Sequence, residues 1–174
     1  MFGGVKSDME TELVRQLINI LSQENDIYDT LYKISNNKKE LIIGGKVAEL
    51  ENIVKIEQSL VIKISKLEDK RENIVGELCG LLGQKPEDVT ISWLTARLGE
   101  MEASQLKVCQ ENMLKSISAL KDNNELNSRL IKTSLEYIDF SINMMTSIDA
   151  VTNNYGSTGH SGDTKKRNLF DVKL

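Results

Sequence analysis

Few residues in this chain could carry out a reaction, and their spacing argues against one. Cys79 and Cys109 stand far apart, and His160, the one histidine, lies well beyond both. A metal ion held by thiolate and imidazole needs several such ligands converging, usually announced by closely paired cysteines or histidines. Two scattered cysteines and one histidine do not make that set, and an unpaired cysteine in a helix behaves as a small hydrophobe. Glu10 with Glu12, and Glu100 with Glu102, supply neighbouring carboxylates. Acid–base work requires such groups to converge on a substrate in a dry pocket, whereas these sit in helix-surface contexts. Gly44-Gly45-Lys46 comes nearest to a phosphate-cradling loop, but it lacks the upstream glycine and the following hydroxyl residue. These residues predict a binding or scaffolding protein and not an enzyme, with no catalytic residue, no metal site and no cofactor.

Bulk composition narrows the class. The chain has 174 residues, 40% of them hydrophobic, 28% charged and only 5% aromatic, with the single proline Pro86. Low aromatic content and almost no proline suit long helices better than a sandwich or barrel. A net charge of −4 and a pI near 5.2 lack the basic footprint of a nucleic-acid binder. The opening MFGGVKSDME has no apolar core of a signal peptide, and no run approaches the length of a membrane span. The expectation is a soluble, cytoplasmic chain that inserts into no membrane.

Three stretches carry helical periodicity. From about Ser7 to Leu41, the positions Leu13, Leu17, Ile20, Glu24, Ile27, Leu31, Ile34, Lys38 and Leu41 recur at steps of three and four. Ser7 with Glu10 reads as a capping box opening this helix. Gly44-Gly45 interrupts the pattern, as a tight turn or as a relaxed break in one long helix, with a break favoured because glycine is costly in helix interiors. From Lys46 to Leu82 the spacing resumes through Val47, Leu50, Val54, Glu57, Val61, Ile64, Leu67, Arg71, Ile74, Leu78 and Leu81. A second stripe, Ile53, Ile56 and Leu60, widens the face as a bundle requires. Glu68, Lys70, Arg71 and Glu72 read as solvated ion pairs. Gly83 and Pro86 end this helix. Asp88, Thr90 or Ser92 then caps a short one, with Trp93 as a plug over one end of the bundle. The third long helix runs from Glu100 to Ile148. The fold expected is all-α: an elongated bundle of three long antiparallel helices, a short connecting helix and a flexible tail. Residues 1–150 form the bundle and 151–174 the tail.

Two features of the third helix go beyond packing. Asn124 and Asn127 share the seam face, where a polar residue fixes register at some cost in stability; alternatively they border a groove that opens to admit a partner. The second half, through Leu126, Leu130, Ile131, Leu135, Tyr137, Ile138, Phe140, Ile142, Met144 and Met145, is more apolar than one core face requires. Surplus apolar surface of this kind needs a further neighbour or a partner protein. Beyond Val151 the helical period is lost, and NNYGSTGHSGDT leads into Lys165-Lys166-Arg167 and then the apolar LFDVKL.

The ordered set of these pieces resembles the FlgN-type family of flagellar export chaperones. The pieces are Glu57, Leu60, Leu67, Glu68 and Arg71 in the second helix, and Asn124-x-x-Asn127 with Leu126-Asn127-x-x-Leu130-Ile131 in the third. Tyr155-Gly156-x-x-Gly159 and a basic-then-apolar ending follow. The resemblance covers nearly the whole chain. It implies a cytoplasmic chaperone that binds the self-assembling C-terminal helices of hook-associated proteins, at the hook-filament junction. Such a chaperone holds them back from polymerising and delivers them to the cytoplasmic domain of the flagellar type III export gate, with the export ATPase a further candidate partner. On this reading Leu126, Leu130, Ile131, Leu135, Ile138, Ile142, Met144 and Met145 form the client surface, and Tyr155, Gly156 and Gly159 dock on the gate. A chaperone for the filament cap or filament subunit and a self-associating coiled-coil scaffold are the competing readings.

Overall fold

The structure, a computed structural model, describes residues 2–152, with side chains over 8–147. Within them every element is helical: α1 (Phe2–Ile43), α2 (Val47–Leu82), α3 (Ile91–Thr95) and α4 (Glu100–Thr152). The chain divides into two compact units, Met1–Leu135 and Glu136–Leu174, and α4 runs through the boundary.

In the first unit, α1, α2, α3 and the first part of α4 share one core. Leu13, Val14, Leu17 and Leu21 of α1 cluster with Leu78, Leu94 and Leu106. The polar contacts give the directions of the helices. Lys38 meets Glu57, and Glu24 meets Arg71, so moving back along α1 means moving forward along α2. Arg15 meets Glu102 and Ser35 meets Asn124, so α1 and α4 run the same way. The long helices therefore alternate up, down, up in chain order.

Helix α1 is buried along two rows because it has two neighbours. One is the expected row through Leu13, Leu17, Ile20, Glu24 and Leu31, all buried. The other repeats every seven residues, as Val14, Leu21, Tyr28, Ser35 and Ile42, and is buried throughout except at the half-buried Tyr28. A seven-residue repeat keeps one stripe facing a neighbouring helix over many turns.

The helix ends follow backbone chemistry. α1 stops at Ile43 and the chain turns through Gly44-Gly45, with Gly45 at φ +63°. That is left-handed space, which glycine enters without penalty. Gly83 does the same at φ +66° after α2, where its N–H and that of Gln84 both return to the Cys79 carbonyl. Thr90 caps α3, its hydroxyl accepting the Trp93 N–H at 3.1 Å. Trp93 packs half-buried against the core with the Arg97 guanidinium 4.7 Å from its ring centroid, as a plug over the core would. The expected capping box is not used. α1 begins at Phe2, so Ser7 is a helix-interior residue. A cap sequence permits a helix to start but does not stop one already running through it.

Candidate interaction surface

Three sets of polar side chains lie on the helix seams. Lys38 Nζ donates to both carboxylate oxygens of Glu57, at 2.9 and 2.8 Å, with both side chains mostly buried. Glu24 is buried, and its Oε1 lies 3.6 Å from Arg71 Nε. Burial raises the Glu24 carboxyl above its ordinary value, against the opposing pull of Arg71. Arg71 also donates to Glu68 at 3.0 Å. The expectation that Arg71 makes only solvated pairs is corrected here: its second partner is the buried acid of another helix. Burial also pushes the Cys109 thiol up, as befits a thiol packed beside the core rather than a reactive one.

The third set answers for the asparagines of α4. Asn127 is 4% exposed and Ser35 fully buried. Asn127 Nδ2 donates to the Ser35 carbonyl at 2.7 Å and to its hydroxyl at 3.2 Å. The Ser35 hydroxyl donates in turn to Asn124 Oδ1 at 2.7 Å. Two asparagines three residues apart thus grip one serine on α1. Slipping the helices by one residue would break all three bonds and strand buried polar groups, so the cluster fixes register. Ser35 escaped sequence reading because a lone serine in a helix looks like surface; its place in the seven-residue row is the signal that could have found it.

Within the first unit, α4 also presents apolar side chains to solvent. Leu126, Ile131 and Leu135 are exposed and Leu130 is half-buried. Ile117, Leu120, Lys121, Asn124, Glu125 and Ser128 line a shallow open groove. α2 has a comparable one along Val47, Leu50 and Val54.

The described helix of the second unit is exposed on nearly all sides. Ile138, Ile142, Met144 and Met145 stand 40–69% exposed, and with them Tyr137 at 71% and Phe140 at 60%. These two aromatics belong to the surplus apolar surface read from the sequence but lie outside the expected client-binding set. At 3.6 residues per turn, Tyr137, Ile138, Phe140, Ser141, Ile142, Met144 and Met145 cover an arc of about 200°. Glu136, Asp139, Asn143, Thr146 and Ser147 take the rest. One helix neighbour covers little more than 100°. Ser141 lies inside the apolar arc and turns its hydroxyl onto the Tyr137 carbonyl at 2.8 Å, which leaves the face apolar. Tyr155, Gly156 and Gly159 lie outside the described residues.

An amphipathic helix that leaves its apolar face exposed is one of the common ways proteins recognise other helices. The family of FlgN proteins matches residues 9–162, and the chain belongs to it. The chain is also 28% identical over 151 residues to the Bacillus subtilis (strain 168) uncharacterized protein YvyG, an alignment covering 84% of this chain and 90% of that protein. No solved structure matches the chain. Family membership points to a flagellar chaperone role. Among the described residues no helix is long and apolar enough to cross a membrane.

Proposed function

We propose that this protein is a cytoplasmic flagellar export chaperone that covers the self-assembling C-terminal helices of hook-associated proteins with the apolar side chains of α4. The observation that carries the reading is the helix between Glu136 and Ser147, where six large apolar side chains stand 40–71% exposed. Their combined area is on the order of several hundred Å², at or above the largest patch a monomer usually exposes. A helix-forming client laid along it would bury both apolar faces, as amphipathic helices do in grooves. Methionines suit a surface that accepts more than one client, because their unbranched thioethers repack at small cost. A client segment that folds on binding loses part of its binding energy to ordering, which favours release at the gate. On this reading Tyr155, Gly156 and Gly159 supply the gate contact.

The test is calorimetric titration of the full chain with synthetic C-terminal helices of hook-associated, filament-cap and filament proteins. Ile138→Asp with Ile142→Asp should weaken the preferred client at least a hundredfold, with the circular-dichroism melt of the chain unchanged. Tyr155→Ala should bind client as before and lose capture of the gate's cytoplasmic domain. Binding of the client helix that is indifferent to the double substitution would sink the surface assignment. A chain that binds none of the three and sediments as a fixed oligomer would replace the chaperone by a scaffold.

A further inference from the structure

We propose that the segment Lys165–Leu174 of this same chain folds back onto the exposed apolar face of α4 between Glu136 and Met145, as an internal occupant that a client must displace. The proposal rests on the reading of that face as the client surface, and adds a regulator to it.

Charge, apolar content and reach all point to this occupant. Residues 136–147 contain Glu136 and Asp139 and no basic side chain. Residues 165–174 contain Lys165, Lys166, Arg167 and Lys173 against the single acid Asp171. After Asn168 the basic cluster gives way to Leu169, Phe170, Val172 and Leu174, four apolar side chains in six residues, which is the cover the face calls for. A second copy of the face fits less well, because it brings no basic side chain to meet these acids, whereas residues 165–174 bring four.

The connection has a suitable length. Residues 153–164, NNYGSTGHSGDT, separate the last described residue from Lys165. Twelve residues of glycine- and serine-rich composition have a root-mean-square span of about 17–21 Å. Back along the helix, from Thr152 to Asp139, the distance is about 20 Å at 1.5 Å per residue. A linker whose span matches the distance to its site gives an effective concentration in the millimolar range. A contact with a dissociation constant of about 100 μM in trans would then be closed more than nine-tenths of the time, and a client would bind about tenfold more weakly than to the bare face. The family match ends at residue 162, so the basic-then-apolar ending that contributes to the resemblance lies beyond the matched residues.

The test is hydrogen exchange by mass spectrometry on the full chain, with no client present. The wild type is compared with Leu169→Asp/Phe170→Asp and with Lys165→Glu/Lys166→Glu/Arg167→Glu. Both variants should exchange the amides of residues 136–147 about tenfold faster, with the amides of residues 8–120 unmoved. Protection in the wild type should survive tenfold dilution. Equal exchange in wild type and both variants overturns the proposal, and protection lost on dilution assigns the face to a second copy instead. Titration of a hook-associated C-terminal helix then separates the two readings. Tighter binding to Leu169→Asp/Phe170→Asp supports competition. Docking seen by exchange, with client affinity unchanged, overturns the competition and removes the client surface from this face.

Discussion

Replacing Asn127 and Asn123 by alanine should move stability in opposite directions, although the two asparagines lie one turn apart on α4. Asn127 donates two hydrogen bonds to Ser35, at 2.7 and 3.2 Å, from a site 4% exposed. Each is worth about 1 kcal/mol net. The gap left by the carboxamide adds about 1 kcal/mol, and the better helix propensity of alanine returns about 0.6 kcal/mol. Asn127 Oδ1 is itself buried with no hydrogen-bond partner, so its removal trims the loss further. Asn127→Ala should therefore cost about 2 kcal/mol, a fall in melting temperature of about 4–8 °C for a chain of this size. Asn123 Nδ2 is buried and makes no hydrogen bond, so Asn123→Ala loses little and gains propensity, a rise of about 1–2 °C. Asn127→Leu, which fills the volume and removes the partnerless oxygen, should cost less than Asn127→Ala. Thermal melts followed by circular dichroism at 222 nm, in one buffer, are sufficient. If Asn127→Ala melts no lower than Asn123→Ala, the grip on Ser35 contributes nothing and the register argument fails with it.

Three other expectations follow from the same structure. The raised Glu24 carboxyl means the folded state holds its proton to higher pH than the unfolded chain, so stability falls as pH rises from the ordinary glutamate value of 4.5 through the folded one. Glu24→Gln should thus gain urea resistance relative to wild type at pH 7 and lose that advantage near pH 4; an advantage larger at pH 4 would mean that Arg71 outweighs burial. Gly83→Ala places a side chain at φ +66° and should cost about 1–2 kcal/mol. Gly76→Ala, in mid-helix with open space around the new Cβ, should gain about 0.5–1 kcal/mol, and a pair of chemical melts compares the two. Lys38→Ala leaves Glu57 half-buried without its cation and should cost about 1–2 kcal/mol, while Lys38→Met with Glu57→Leu should lie within about 1 kcal/mol of wild type.

The three long helices were legible in the sequence because each carries its apolar residues at steps of three and four over many turns, and because Gly44-Gly45, Gly83 and Pro86 punctuate them. The polar residues on those stripes were legible as positions but not as pairs. Glu24, Lys38, Glu57 and Arg71 all fell on seam rows, yet only the register between α1 and α2 decides that Glu24 meets Arg71 and Lys38 meets Glu57. Arg71 looked like a surface residue because its local partner Glu68 is three residues away, and local spacing is all a single chain displays. Ser35 was lost for a related reason: its row, Val14 to Ile42, is broken by Tyr28 and by the serine itself, so it reads as half polar.

The same limit explains why the candidate surface was read only in part. Periodicity reports that a side chain requires cover; it does not report what covers it. On α1 the stripe and the cover are both in the structure, and Leu13, Leu17 and Ile20 are buried. On α4 the stripe continues through Ile138, Ile142 and Met145 with those side chains exposed, and Tyr137 and Phe140 beside them widen the arc beyond any single row. An apolar period sustained without burial is an argument about an absent partner. The arc of about 200° sets a stricter demand than the stripe did, since one helix fills only about half of it. A client helix alone would leave the Tyr137 and Phe140 side of that arc or the Ile138 and Ile142 side in water. Scanning both sides by aspartate substitution, one side at a time, therefore distinguishes a single client helix from a client that brings two.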